Sequence, residues 1–176
     1  MLCVHFANTK EGMQKIRVLM VCLGNICRSP MAHGVFQARV RAHGLESAIE
    51  VDSAGTAGYH VGARPDPRAR EEASRRGYDL DQLRARQLEA DDFETFDYIL
   101  TMDEANYRNA QQIQPNGARA RLHRFLEFAQ DHPEREVPDP YYGGPDGFVH
   151  VMDLVEAASD GLLDHICREH ALERVS

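Results

Sequence analysis

With 176 residues, 43% of them hydrophobic, the chain has enough material for one globular domain with a sizeable core. Its 28 acidic residues outweigh 20 basic ones to give a formal charge of −8, which argues against a general binder of nucleic acid or acidic membrane and makes any anion site a local device. No apolar run is long enough to span a bilayer, the N-terminus lacks the order of a signal peptide, and the four cysteines show neither paired CxxC spacing nor a dense disulfide framework, so a cytoplasmic location with free thiols is expected.

Residues 1–14 are polar and aperiodic and are expected to form a flexible extension, with a single domain over residues 15–176. Ile16 to Val21 is a short apolar run suited to a strand covered on both faces. Ser29 as cap and Pro30 as first residue signal a helix that carries Met31, Val35, Phe36 and Val40 and ends at His43-Gly44. Ile49 to Ser53 alternates like a strand and runs into the loop Ala54 to Tyr59, after which Asp66-Pro67 opens a second helix that closes at Arg76-Gly77. Tyr98 to Met102 reads as a third strand, Asp103 as the cap of a helix from Glu104 to the region of Ile113, and residues near Ala120 to Leu122 as a fourth strand. A periodic stretch from Phe148 through Val155, Leu162 and Ile166 reads as a closing helix, weakened in its middle by Gly161. Strands alternating with helices imply an α/β domain whose parallel sheet is covered on both faces and whose ligand site lies at the carboxyl ends of the strands. Cys22 stands at such an end.

Cys22 and Arg28 are separated by Leu23, Gly24, Asn25, Ile26 and Cys27, between that first strand and the first helix. These five residues can curl so that successive backbone N–H groups point inward, while the positive end of the helix faces the same point. A Cys-x5-Arg match alone is weak, since about 0.4 of them arise by chance in a chain of this composition. The strand before it, the glycine within it and Ser29-Pro30 after it supply the specificity. In such a cradle the converging amides, the helix terminus and the guanidinium all favour Cys22 as a thiolate, and Arg28 offers a planar fork to two phosphoryl oxygens at once. The competing reading makes Cys22 a buried thiol closing a core strand and Arg28 a member of a surface ion pair. Phosphoryl transfer to sulfur also requires a proton for the leaving oxygen. Asp139, stiffened between Pro138 and Pro140 and followed by Tyr141, Tyr142 and a Gly-Gly pair, is the leading candidate, although the same composition also makes an ordinary turn. The nine histidines show no zinc-ligand spacing, and neither a metal nor another cofactor is expected.

Six blocks carry a more specific signal. Val21-Cys22-Leu23-Gly24-Asn25-Ile26-Cys27-Arg28-Ser29-Pro30, Asp52 to Thr56, Pro65 to Ala69, Ala85-Arg86-Gln87, Asp92 to Asp103 and Asp139 to Gly144 resemble, in this order, the low-molecular-weight protein tyrosine phosphatases. The resemblance implies a flavodoxin-like three-layer sandwich with a four-stranded parallel sheet, and a metal-free hydrolysis of phosphotyrosine and small aryl phosphates through a cysteinyl-phosphate intermediate. It assigns Cys22 as nucleophile, Arg28 as clamp on the phosphate and transition state, and Asp139 as acid and then base. Leu23, Gly24, Asn25, Ile26, Cys27 and Ser29 fall in the phosphate-binding loop, the Asn25, Ser53 and Asp103 positions support it, and the Ser29 hydroxyl helps the thiolate form and leave. Tyr59, Tyr141 and Tyr142 wall an entrance suited to a flat substrate, and His60 occupies a variable position that tunes substrate preference. Cys27 falls where a reversible disulfide with the nucleophile can form. The implied partners are phosphotyrosine proteins, with a tyrosine kinase as counterpart and without nucleic acid or membrane insertion.

Two departures stand out. Leu83 replaces a histidine that in many relatives joins a hydrogen-bond network with the Asn25 and Asp103 positions, which predicts a less firmly held Asn25. His33 replaces a common glutamate, which predicts added positive charge close to the loop. Two other functions stay open on the sequence. An arsenate reductase with the same loop is disfavoured because Cys167 stands alone in a helix and Cys3 in the extension. A phosphotyrosine-binding, anion-binding or redox-sensing module is favoured only by Leu83, against the joint presence of Cys22, Arg28 and Asp139.

Overall fold

The computed structural model describes residues 14–175, so the extension expected over residues 1–14, with Cys3, lies outside the described residues except for Gln14. Four strands, β1 (Ile16–Cys22), β2 (Ile49–Gly55), β3 (Tyr98–Thr101) and β4 (Arg121–Arg124), form one parallel sheet in the order β2-β1-β3-β4. The helices among the described residues are α1 (Arg28–Ala42), α2 (Pro67–Arg75), the single turn α3 (Asp92–Thr95), α4 (Glu104–Ile113) and α5 (Pro145–Glu169), with a 3-10 turn at Phe125–Phe128.

β1 is central, and Val18 to Val21 are fully buried, as an apolar run covered on both faces requires. Its alternating side chains feed two cores. Val18, Met20 and Cys22 pack with Met31 and Phe36 of α1, Ala73 of α2 and Phe148 and Leu162 of α5, whereas Leu19 and Val21 pack with Phe93 of α3, Ile99 of β3 and Ala110 of α4. The product is an α/β sandwich of three layers with the sheet in the middle. From β1 the chain crosses by α1 to β2 on one edge, and β3 lies along the other, with Val21 opposite Thr101. The strand order therefore reverses between β1 and β3, and a crevice opens at their carboxyl ends, where Cys22 and Asp103 emerge.

Local signals set most boundaries. Asp66 caps α2 through a bond from Arg68 N–H at 2.8 Å, and Gly77, at φ +91°, takes the left-handed conformation that ends it. Asp103 and Asn106 form a reciprocal capping box on α4. β4 runs from Arg121 rather than near Ala120, because its register is dictated by pairing with Tyr98 to Thr101; its side chains are half-exposed or exposed and carry no apolar alternation. α5 begins at Pro145, ahead of its first core contact at Phe148, since proline suits a first helical turn.

Gly161 has a packing role that helix propensity does not reveal: a Cβ there would run into the Phe128 carbonyl oxygen of the 3-10 turn. On propensity alone Gly161→Ala would gain about 1 kcal/mol. The clash is expected to reverse the sign and destabilise the protein by about 1–3 kcal/mol, read as a lowered urea midpoint. A raised midpoint would refute the packing explanation.

Candidate active site

The loop from Leu23 to Cys27 joins β1 to α1 and wraps the Cys22 sulfur. Asn25 sits at φ +59°, a conformation that asparagine tolerates better than most residues. Its N–H donates to Cys22 Sγ at 3.3 Å, its Nδ2 donates to Ser29 Oγ at 2.7 Å, and its Oδ1 accepts from Arg86 N–H at 3.0 Å. Because the Asn25 amide occupies the oxygen of Ser29, the serine hydrogen is available to Cys22 Sγ at 3.0 Å, with the Ala54 carbonyl at a longer 3.4 Å. Loop carbonyls are drawn outward: Cys22 accepts from Thr56 N–H and Leu23 from Ala57 N–H at 2.9 Å, and Ile26 accepts from Asp66 N–H at 2.8 Å. A trans peptide points its N–H opposite its C=O, so the amides of Leu23, Gly24 and Cys27 turn the other way. Gly55 lets this loop pass the end of β2, since a Cβ there would stand 2.6 Å from the Leu23 carbonyl oxygen.

Arg28 is 3% exposed. Its Nη1 donates to Asp103 Oδ2 at 2.6 Å and to the Val137 carbonyl at 3.0 Å, and its Nη2 lies 3.7 Å from Asp139 Oδ2. Burial works against the charge, but the Cys22 sulfur, the bond to Asp103 and Asp139 outweigh it and hold the pKa above the ordinary arginine value. Val137 N–H donates to the Met102 carbonyl at 2.7 Å, which pins the start of the Asp139 segment to the end of β3. A cavity of about 340 Å³ is lined by every loop residue from Cys22 to Arg28 except Asn25, together with Asp139 and the rings of Tyr59, His60, Tyr141 and Tyr142. Tyr59 and Tyr142 stand almost free in solvent, and the His60 ring lies against Gly24.

Several expectations need correction. Ser29 is not the helix cap: α1 begins at Arg28, its N-cap Cys27 makes no side-chain bond, and the Ser29 hydroxyl is engaged by Asn25 and Cys22. The N-terminal amides of α1 are thereby left to the cavity side. His33 does not add charge, because burial, only partly opposed by Asp52 and a bond with Gln37, pushes its pKa below the ordinary histidine value. Asn25 is firmly held despite Leu83, because the Arg86 backbone N–H bonds its oxygen while the Arg86 guanidinium is clamped by Asp52 and Asp92 at 3.1 Å. No side-chain pattern could have announced that donor. The Ser53 hydroxyl meets His33 Nδ1 at 3.1 Å, and it is the neighbouring Ala54 carbonyl that reaches Ser29. Asp103 reaches the loop through Arg28 while capping α4 with its other oxygen. Cys22 and Cys27 are both free and buried, and burial first, then Asp66, pushes the Cys27 thiol far up.

The family profile of the low molecular weight phosphotyrosine protein phosphatases matches residues 17–172. The chain belongs to this family. The low molecular weight phosphotyrosine protein phosphatase of Schizosaccharomyces pombe is 49% identical over 136 residues, 77% of this chain and 86% of that one. The low molecular weight protein-tyrosine-phosphatase of Streptomyces coelicolor is 45% identical over 150 residues, 84% of this chain and 91% of that one. Among solved structures, a protein tyrosine phosphatase from Entamoeba histolytica with Hepes in the active site matches with a TM-score of 0.85 at 39% identity, over 90% of this chain and all of that one. The phosphatase thus has the flavodoxin-like sandwich expected from the resemblance, and it is a hydrolase of protein phosphotyrosine.

Neutral burial of His33 has a consequence for pH. An unfolded imidazole titrates near 6.5, above the folded value, so the unfolded chain takes up protons first as pH falls. Stability from this group is complete above about pH 6.5 and is lost on acidification through the folded pKa. His33→Gln is therefore expected to flatten the fall in urea midpoint as pH drops below about 6.5. A slope unchanged by the substitution would assign the acid sensitivity elsewhere.

Proposed function

We propose that Cys22, Arg28 and Asp139 carry out a two-step hydrolysis of phosphotyrosine in proteins and of small aryl phosphates. The supporting observation is their convergence on one cavity, with the sulfur held by the Asn25 N–H and Ser29 and the guanidinium fixed between Asp103, Val137 and Asp139. In the first step the Cys22 thiolate attacks phosphorus, the bond from phosphorus to the aryl oxygen breaks, and that oxygen takes the proton of Asp139. In the second, the Asp139 carboxylate takes a proton from water, the water oxygen attacks phosphorus, and the bond to sulfur breaks. Throughout, Arg28 and the loop amides hold the equatorial oxygens as charge develops on them. The donors from Ser29 and Asn25 receive the departing thiolate.

The rim supports the substrate class. Tyr59, His60, Tyr141 and Tyr142 form a wall of rings above a narrow floor, which suits an aryl group on its way to the sulfur, whereas the shorter phosphoserine would bring its own backbone against the rim. No helix among the described residues is long and apolar enough to cross a membrane. Cys22, Cys27 and Cys167 are free thiols, which supports work in a reducing cytoplasm, and a phosphotyrosine substrate calls for a tyrosine kinase to supply it.

With para-nitrophenyl phosphate or a phosphotyrosine peptide in excess chelator, the wild type is expected to release phosphate steadily, and Cys22→Ser to lose turnover while still binding inorganic phosphate. Residual turnover by Cys22→Ser would remove the cysteine from the mechanism, and stoichiometric peptide binding by the wild type without release would mark a binding module instead. Asp139→Ala is expected to lower kcat/KM for phenyl phosphate, with its poor leaving group, by about 10²–10⁴ and for para-nitrophenyl phosphate by less. Equal losses on both would show that Asp139 is not the acid.

A further inference from the structure

The segment that carries Asp139 is pinned at Val137, but the hydrogen bonds of its exposed part are internal, from Tyr141 N–H to Asp139 Oδ1 at 3.1 Å and from Gly143 N–H to the Pro140 carbonyl at 3.1 Å. From outside it is met by the start of α5, where Pro140 is buried close to Gly147, by the 3.7 Å approach of Arg28 to Asp139, by a ring contact of His60 with Tyr141 at 6.5 Å, and by Arg68, whose guanidinium is the charged group set against the Tyr141 ring. Arg68 lies in the first turn of α2 and sets its Nε and Nη2 on the two oxygens of Asp66 at 3.0 and 2.9 Å. That fork fixes the plane of the guanidinium. Its central carbon stands 5.5 Å from the Tyr141 ring centroid and 4.8 Å from that of Phe148, which is buried at the start of α5. Asp66 is itself tied to the loop, its N–H donating to the Ile26 carbonyl at 2.8 Å. A continuous route therefore runs from the loop through Asp66, Arg68 and the Tyr141 ring to the Tyr141 N–H and the carboxyl of Asp139.

We infer that Arg68 is a positioning residue for proton transfer, holding the Asp139 carboxyl at the cavity through Tyr141. The inference deepens the proposed function and rests on Asp139 as the acid. The fork persists at neutral pH, because the bond from Arg68 holds the Asp66 carboxyl below its ordinary pKa, against a smaller opposing effect of burial. Lysine would keep the charge but neither the fork nor the flat face that lies on the ring.

The test compares kcat/KM, which reads the steps up to release of the aryl alcohol, on phenyl phosphate and on 2,4-dinitrophenyl phosphate, whose leaving group needs no proton, for the wild type, Arg68→Ala, Asp139→Ala and the double variant. Arg68→Ala is expected to lower kcat/KM on phenyl phosphate by about 10- to 100-fold with little change on the dinitrophenyl ester, and to cost nothing further when Asp139 is already alanine. Arg68→Lys is expected to recover little of the loss. Competitive inhibition by inorganic phosphate, which reads the loop, should be unchanged. Should Arg68→Ala lower the urea midpoint enough to compromise folding, Arg68→Gln carries the same expectations. Equal losses on both esters, or a further loss in the double variant, would overturn the role of Arg68 alone when Asp139→Ala discriminates between the esters. If Asp139→Ala does not discriminate, the acid assignment falls and the inference falls with it.

Discussion

Arg28 brings a permanent positive charge to a place from which water is almost excluded, and the groups that meet the charge are the ones that organise the site. A buried guanidinium is tolerated only when its donors are matched by well-placed acceptors. Here they come from separate parts of the chain: the Asp103 carboxylate at the end of β3, the Val137 carbonyl at the start of the acid segment, and the Asp139 carboxylate beyond it. One side chain at the head of α1 thereby sets the mutual placement of the loop, the third strand and the acid. The remaining sulfur contact needs only the short reach from Cys22 to Asn25 and Ser29.

The loop achieves its polarity with the backbone. The carbonyls of Cys22, Leu23 and Ile26 are consumed by Thr56, Ala57 and Asp66, all supplied by the segment after β2, which turns the amides of Leu23, Gly24 and Cys27 the other way. Gly55 makes that crossing sterically open, and Asn25 absorbs the positive φ. The absence of a side-chain cap on α1 belongs to the same arrangement, because a cap would occupy the amides that a bound anion is to meet. Ser29 is thus freed from a local duty and given to the sulfur.

Much of the fold was legible because its signals are short-range. The apolar run of β1, the caps at Asp66 and Asp103, Gly77 at a helix end and the period of α5 all act within a few residues of where they are read. β4 was displaced because its side chains are half-exposed and its position is decided by hydrogen bonds to β3. Gly161 looked like a weak point of α5 because helix propensity knows nothing of the carbonyl of Phe128 packed against it.

By itself the sequence determined which chemistry this protein can perform: a cysteine and an arginine on one tight loop between strand and helix, and a carboxylate between two prolines, are properties of residue type and spacing. Tertiary structure decided how those groups are held. The Arg86 N–H that secures Asn25 lies 61 residues away, His33 is kept neutral by burial, and Arg68 reaches Tyr141 from another helix. The physical reason is that backbone donors look alike in every sequence, and the dielectric around a side chain exists only once the elements have packed.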